Sequence, residues 1–129
     1  MPHEPGSPQA WLSHARSDLA LARLPATGDV LREALCFHAQ QAVEKSIKAV
    51  LIQAGIPFPR AHTIERLVDL LPPATPRTPE LLASAQLTAY ATTFRYPGEE
   101  EPVSEEDHRQ ALRLAEAVLA WAEACLRRP

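Results

Sequence analysis

Four polar side chains recur at helical spacing within residues 29–54, a stretch of the sequence that contains neither Gly nor Pro. They are His38, Gln41, Lys45 and Lys48. Their i, i+3, i+4 pattern places them on one face of a helix, and Lys45 and Lys48 are the only two lysines of the chain. Imidazole, amide and ammonium groups on one face predict a binding site for a phosphate or a nucleic acid. The alternative interpretation is a solvated helix face on which Glu44 pairs with Lys48.

Imidazole and guanidinium side chains elsewhere in the sequence indicate a second chemistry, cleavage of RNA without a metal. The 2′-hydroxyl of RNA can attack the neighbouring phosphate if an imidazole moves protons and a guanidinium stabilises the developing charge. Candidates for these catalytic roles are Arg95, His62, His108 and His38. His62 lies at a predicted helix start, where the helix dipole favours a bound anion. The alternative role for His62 is structural, as a residue that packs against the preceding loop.

Metal ligands do not occur at a typical spacing in the sequence. Ala42 follows His38 four residues later, and neither H-E-x-x-H nor a paired Glu-x-x-His pattern is present. The four glycines stand too far apart to form a phosphate-binding loop. We therefore expect no metal and no cofactor.

The composition favours one small helical domain. The chain has 129 residues and a formal net charge of -3, with 46% hydrophobic but only 5% aromatic side chains. A core made mostly of Ala, Leu and Val favours helices, and the net charge excludes a strongly basic nucleic-acid-binding module. Cys36 and Cys125 lack metal-binding spacing, which favours a reducing compartment. Because the sequence shows neither a signal-peptide pattern nor a membrane-length apolar run, we expect a cytoplasmic protein without membrane contact.

Caps and breaks in the hydrophobic pattern predict an all-α fold, a four-helix up-and-down bundle with one additional short helix. We expect one domain over residues 1–129, with residues 1–7 as a loose leader. The predicted helices span residues 8–24, 29–54, 64–71, 79–94 and 105–127. Asp29 is expected to cap the second helix, and Asp18 to lie on the outer side of the first. Because the fourth helix is apolar on two sides, we expect a partner chain, by default in a homodimer.

Three blocks of the sequence resemble motifs of the HEPN family. The first block is the segment FHAQQAVEKSIKA at residues 37–49. The second block is His62-Thr63-Ile64, followed by Leu67 and Leu70-Leu71. The third block is Tyr90 with Arg95-Tyr96-Pro97 before the last helix. The blocks follow the order of the family, and the resemblance covers residues 8–126. It implies a helical bundle that dimerises through helix faces and is often encoded beside a minimal nucleotidyltransferase, as a toxin–antitoxin-like pair.

The resemblance also implies a site. Some HEPN proteins bind nucleotides, and many are metal-independent ribonucleases with an R-x(4–6)-H motif. Here the histidine after Arg95 is His108, which is beyond that spacing. The R-x5-H match of Arg32 with His38 lies inside a helix, where the two side chains differ in direction by about 240°. The resemblance therefore favours binding over cleavage. The residues that match its blocks are Gln41, Glu44, Lys45, Lys48, His62, Arg95 and Tyr96.

Three functions stay open at this point. The first is a module that binds a nucleotide or RNA and pairs with a minimal nucleotidyltransferase; Lys and Arg side chains would hold phosphates, and Tyr96 would stack on a base. The second is a metal-independent ribonuclease toxin. The third is a structural adaptor, in which Gln41, Glu44 and Lys45 hold Arg95 and Tyr96 across the bundle.

Overall fold

Helices form the regular secondary structure of the computed structural model, which describes residues 6–60, 63–92 and 102–128. In chain order they are α1 (Pro8–Ala22), α2 (Arg32–Gln53), α3 (Ile64–Asp69), α4 (Pro79–Ala83), a 3₁₀ helix (Ser84–Thr88), α5 (Ala89–Thr92) and α6 (Glu105–Arg127). α2 packs against α1 and α6, and α4, the 3₁₀ helix and α5 together form the fourth side. The predicted all-α bundle with a short extra helix, α3, is confirmed. The expected leader, residues 1–7, lies mostly outside the described residues.

α1 begins where the sequence predicts. The hydroxyl of Ser7 accepts a hydrogen bond from the backbone N–H of Ala10 at 3.1 Å, and Pro8 occupies the first turn, where no N–H donor is needed. The apolar face of α1 is buried: Leu12, Ala15, Leu19 and Ala22. The chain then turns through Gly28, whose φ of 60° suits glycine, and α2 runs back along α1.

α2 begins later than predicted. The cap position is Leu31, which makes no side-chain hydrogen bond, and the first helical residue is Arg32. The N–H of Val30 donates to the carbonyl of Thr27 at 3.1 Å, so the residues around it form a turn that reverses the chain. The expected cap by Asp29 is therefore wrong, because reversing the chain between the two helices requires that residue.

α2 ends as the sequence predicts, at a glycine in the left-handed conformation. Gly55 has a φ of 73°, and the N–H of Ile56 donates to the carbonyl of Leu51 at 2.9 Å. This pattern satisfies the last carbonyl groups of the helix. Between its two ends α2 is buried on several sides, which makes it the central element of the bundle.

The segment predicted as one helix over residues 79–94 is divided into three short pieces. The hydroxyl of Ser84 donates to the carbonyl of Leu81 at 2.6 Å, where the chain tightens into the 3₁₀ helix. The hydroxyl of Thr88 accepts a hydrogen bond from the N–H of Ile64 at 3.1 Å and so satisfies a donor at the start of α3. The single long helix is therefore wrong, because Ser and Thr side chains compete for backbone groups here. Positions 93 and 94 lie outside the described residues.

α6 spans the predicted residues. Ser104 and Asp107 form a reciprocal capping box. The N–H of Ser104 donates to Asp107 Oδ2 at 3.1 Å, and the N–H of Asp107 donates to Ser104 Oγ at 3.0 Å. The buried side of α6 comprises Ala111, Leu114, Ala115, Val118, Leu119, Trp121 and Ala122. Within the described parts of the chain, every helix is too short or too polar to cross a membrane.

Candidate functional site

Two polar side chains of α2 meet around one carboxylate of α1; we call these three residues the shared-carboxylate cluster. Asp18 of α1 places Oδ1 2.9 Å from His38 Nδ1 and Oδ2 2.6 Å from Lys45 Nζ. His38 and Lys45 lie two turns apart on one face of α2, so a single carboxylate opposite them reaches both. Asp18 is only 7% exposed, so the expectation that it lies on the outer side of α1 is wrong. The Lys45 ammonium compensates its buried charge, and the His38 ring adds a hydrogen-bonding contact.

A second cluster, the buried amide–ion chain, runs along α2 itself. Gln41 Nε2 donates to Gln40 Oε1 at 2.7 Å, and Gln40 Nε2 donates to Glu44 Oε2 at 2.9 Å. Lys48 Nζ donates to Glu44 Oε1 at 2.6 Å. Gln40 and Glu44 are fully buried, so this chain of hydrogen bonds lies inside the bundle.

Aromatic rings enclose the Lys48 end of this chain. Lys48 Nζ lies 5.5 Å from the ring centroid of Trp11 and 5.3 Å from that of Phe58, within the range of cation–π attraction. The two rings meet edge to face, with centroids 5.9 Å apart. The solvated-face interpretation is therefore wrong for Glu44 and Lys48. Their face of α2 is turned towards α1, and they form a desolvated ion pair.

The two clusters differ in how far a ligand can reach them. The side chains of His38 and Lys45 are 33% and 25% exposed, whereas that of Lys48 is 9% exposed. A phosphate from solvent can approach the first pair directly. To bind Lys48 it would have to displace Glu44, and uncoupling a buried ion pair costs on the order of 3–5 kcal/mol. The shared-carboxylate cluster is thus the candidate anion site, and the amide–ion chain belongs to the interior of the bundle.

Asp18 also fixes the orientation of the His38 ring. A carboxylate next to Nδ1 favours a proton on that nitrogen, which leaves Nε2 as the atom that can exchange a proton or donate to a phosphate. Lys45 contributes an ammonium group with three N–H donors, one of which is directed at Asp18. Chemically, the cluster can hold an anion and move a proton.

The other predicted site residues are separate from this cluster or not described. His62, Arg95 and Tyr96 lie outside the described residues. His108 is half-buried at the start of α6, and its Nε2 lies 2.7 Å from the carbonyl oxygen of Ala22, to which it donates a hydrogen bond. His108 therefore ties α6 to the end of α1, and its catalytic role stays a prediction.

A metal site is a separate question from the anion site. Nowhere in residues 6–60, 63–92 and 102–128 do three His, Cys, Asp or Glu side chains converge closely enough to hold an ion.

Sequence reasoning did not identify Asp18 or Gln40 as members of these clusters. A signal for Asp18 was present, because it lies three residues after Ala15 and four before Ala22, both of which are buried. The helical period alone therefore places Asp18 on the inner face of α1. No comparable signal marks Gln40, since its burial follows from contacts on several sides of α2.

Comparison with known proteins identifies a matching family and two similar crystal structures. The model of a family described as the HEPN domain matches residues 8–125. The crystal structure of TT1696 from Thermus thermophilus aligns with a TM-score of 0.77 at 28% identity, covering 93% of this chain and 98% of that chain. The crystal structure of ST0689, an archaeal HEPN homologue, aligns with a TM-score of 0.71 at 29% identity, covering 92% and 96%. The comparison with curated proteins found no match.

Proposed function

The chain belongs to the HEPN family, and on that premise we propose that it is a dimeric helical module that binds a nucleotide or RNA through a phosphate. We further propose that it pairs with a minimal nucleotidyltransferase in a toxin–antitoxin-like system. The observation that carries the binding proposal is the partly exposed pair of the Lys45 ammonium and the His38 imidazole around one buried carboxylate.

The charges of the shared-carboxylate cluster support anion binding. Asp18 contributes one negative charge, Lys45 one positive charge, and His38 a second positive charge when it is protonated. Because Nδ1 of the ring faces Asp18, the protonated ring presents its Nε2–H to an approaching phosphate. The phosphate then meets the remaining donors of Lys45 and the Nε2–H of His38. Lys48 supplies no such charge, since Glu44 compensates it in the core.

Arg95, Tyr96 and His62 complete the proposed site on the strength of their resemblance to family motifs. In this proposal the guanidinium of Arg95 adds a bidentate phosphate contact, and the Tyr96 ring stacks on a base. His62 contributes a further donor. Gln41 belongs to the amide–ion chain and positions Gln40 rather than contacting the ligand.

An exposed apolar surface supports dimerisation. Five of the six exposed large apolar side chains in the described parts of the chain lie near the α1–α2 turn; this apolar α1–α2 surface consists of Leu21, Leu24, Val30, Leu31 and Phe37. A groove of about 330 Å³ runs along it and includes His38 in its lining. Apolar surface of this kind is typical of an interface. A second copy bound here would lie next to the shared-carboxylate cluster.

The nucleotidyltransferase partner is proposed from the family resemblance. It is tested by co-expressing the chain with the product of any neighbouring reading frame that encodes a small nucleotidyltransferase. We expect the two proteins to co-purify at a fixed ratio. Separate elution of the two at micromolar concentration would contradict this pairing.

Calorimetry tests the binding proposal. Wild type is titrated with ATP, GTP and short RNA, beside Lys45→Ala, Arg95→Ala and the control Arg113→Ala, whose side chain is exposed on α6 and bonded to Gln110. We expect at least one ligand to bind wild type and the control alike, with affinity lower by about tenfold in the other two variants, as for a lost charged contact. No binding heat from any ligand would remove the proposal.

A structural adaptor is the second candidate, and the buried ion pair of Glu44 with Lys48 favours it. On this alternative both polar clusters serve only to join α1 and α2. Lys45→Ala would then lower the melting temperature while no nucleotide or RNA binds either protein.

A further inference from the structure

A cavity of about 320 Å³ opens beside the first turns of α1 and reaches the shared-carboxylate cluster. Its lining among the described residues includes Gly6, Ala10, Trp11, His14 and Lys45. Trp11 and His14 lie one turn apart on the same face of α1, and Lys45 enters from α2. Sites for small organic ligands begin at about 300 Å³. The size of the cavity therefore suits one small ligand.

The two tryptophans of the chain are placed differently. Trp121 is buried, and its indole N–H donates to the carbonyl of Pro76 at 2.9 Å. Trp11 is only partly buried, and its indole N–H is accessible and finds no hydrogen-bond partner within the described parts of the chain. Phe58 and Lys48 hold its ring in place. A fixed, accessible indole in a cavity wall is a stacking surface for a flat ring.

We propose that this cavity binds the base of a purine mononucleotide, stacked on Trp11, with its phosphate against Lys45. The inference rests on the function proposed above and names its ligand class. A purine is favoured over a pyrimidine because two fused rings cover more of the indole. A mononucleotide is favoured over an RNA strand because the volume accommodates a single base.

His14 supplies the polar contact to the base in this arrangement. Its side chain is exposed at the cavity, one turn after Trp11, and it makes no hydrogen bond or ion pair within the described residues. An imidazole can donate and accept hydrogen bonds, which matches the mixed donor and acceptor edge of a purine. The Lys45 ammonium keeps its contact with Asp18 and directs its other donors to the phosphate.

Fluorescence quenching reports directly on stacking at Trp11. In Trp121→Phe the indole of Trp11 is the only one left, and this protein is titrated with AMP, adenosine and inorganic phosphate. We expect AMP to quench the emission, adenosine to quench it with weaker affinity, and phosphate to leave it unchanged. No quenching by AMP, in a protein that binds AMP by calorimetry, would overturn stacking on Trp11.

Calorimetry with AMP on single variants locates the base. We expect Trp11→Leu to weaken binding by about tenfold or more, since base stacking on an aromatic side chain carries a large share of affinity. His14→Ala should weaken it several-fold, and Ser13→Ala, an exposed neighbour on α1, should not change it. Because His14 is exposed, its variant keeps the test valid if Trp11→Leu does not fold.

The outcomes separate this inference from the function on which it rests. Loss of AMP binding in Lys45→Ala, with unchanged affinity in Trp11→Leu and His14→Ala, overturns the proposal that the base binds in this cavity. The proposed function is then unaffected. Tighter binding of oligo(A) RNA than of AMP, dependent on Trp11, overturns the choice of a mononucleotide. No binding of any nucleotide or RNA overturns both.

Discussion

Two lysines three residues apart on α2 are placed in opposite surroundings. Lys45 is one-quarter exposed and shares Asp18 with His38, whereas Lys48 is enclosed by Glu44 and two aromatic rings. The difference arises because Lys48 lies one turn further along the same face of α2, opposite the first turn of α1, where Trp11 lies. We therefore assign Lys45 to the proposed anion site and Lys48 to the stability of the bundle.

Lys48→Met tests this assignment of Lys48. The substitution leaves the buried carboxylate of Glu44 without its cation, so we expect the free energy of unfolding to fall by about 3 kcal/mol or more. Chemical denaturation measures it.

The double variant Glu44→Gln with Lys48→Met serves as the control for that measurement. It removes both charges and keeps an amide oxygen for Gln40, so we expect it to recover most of the stability. Equal stability of wild type and Lys48→Met would contradict a buried ion pair.

At the residue scale, the sequence identified the members of the two clusters that lie on α2 but not the residues of α1 that contact them. His38, Gln41, Lys45 and Lys48 were identified because they share one helix, where spacing alone decides which side chains are neighbours. Asp18 and Trp11 were not joined to them, since contacts between helices depend on packing that a single-helix pattern does not specify.

At the scale of elements, one side chain satisfies carbonyl groups of the segment that follows α3. The guanidinium of Arg77 donates to the carbonyls of Leu71 at 2.8 Å and Thr75 at 2.9 Å, and also to those of Pro72 and Val68. Backbone N–H groups already donate to the carbonyls of Leu67 and Val68 at the end of α3, so the main effect of Arg77 is on the proline-containing segment that follows. The link to α4 is thereby held against the bundle.

Arg77→Ala should destabilise the protein. It leaves the carbonyls of Leu71 and Thr75 without the guanidinium donor, so we expect the free energy of unfolding to fall by about 2–3 kcal/mol, measured by denaturant titration. Arg66→Ala, an exposed arginine on α3, is the matched control and should change it by less than about 0.5 kcal/mol. Similar values for the two variants would contradict this role of Arg77.

Helix boundaries set by the local sequence were predictable, and those that depend on adjoining segments of the same chain were not. Ser7, Gly55 and Ser104 mark helix ends correctly because each acts on backbone groups within a few residues. The predicted cap at Asp29 is wrong because that residue belongs to the turn between α1 and α2. The predicted single fourth helix is wrong because Thr88 accepts a hydrogen bond from the start of α3, a contact across the fold.

At the scale of the whole molecule, the groove of the apolar α1–α2 surface reaches His38, and the cavity beside Trp11 reaches Lys45. Both regions thus adjoin the shared-carboxylate cluster. The fold class was predictable from composition and periodicity, because alanine-rich helices with prolines between them permit few other architectures. The place of the interface stays a prediction: the sequence pattern favours the fourth helix, whereas the proposal above uses the apolar α1–α2 surface.

Leu31→Glu tests the proposed interface. Leu31 is 62% exposed, so a charge there should leave the fold intact while breaking an apolar contact between copies. We expect light scattering after gel filtration to show a dimer for wild type and a monomer for Leu31→Glu. Leu82→Glu, on the exposed side of α4, should stay dimeric; the opposite result would move the interface to α4.

Asp18→Asn tests most directly whether the charges of Lys45 and His38 are available to an anion. We predict that its unfolding free energy falls by about 1–3 kcal/mol, because a largely buried carboxylate loses its ionic contacts, while its affinity for a phosphate-bearing ligand such as ATP rises several-fold. The two changes have opposite signs because the carboxylate that stabilises the bundle also competes with the ligand. An affinity that falls, or does not change, as stability is lost would contradict an anion site at this cluster.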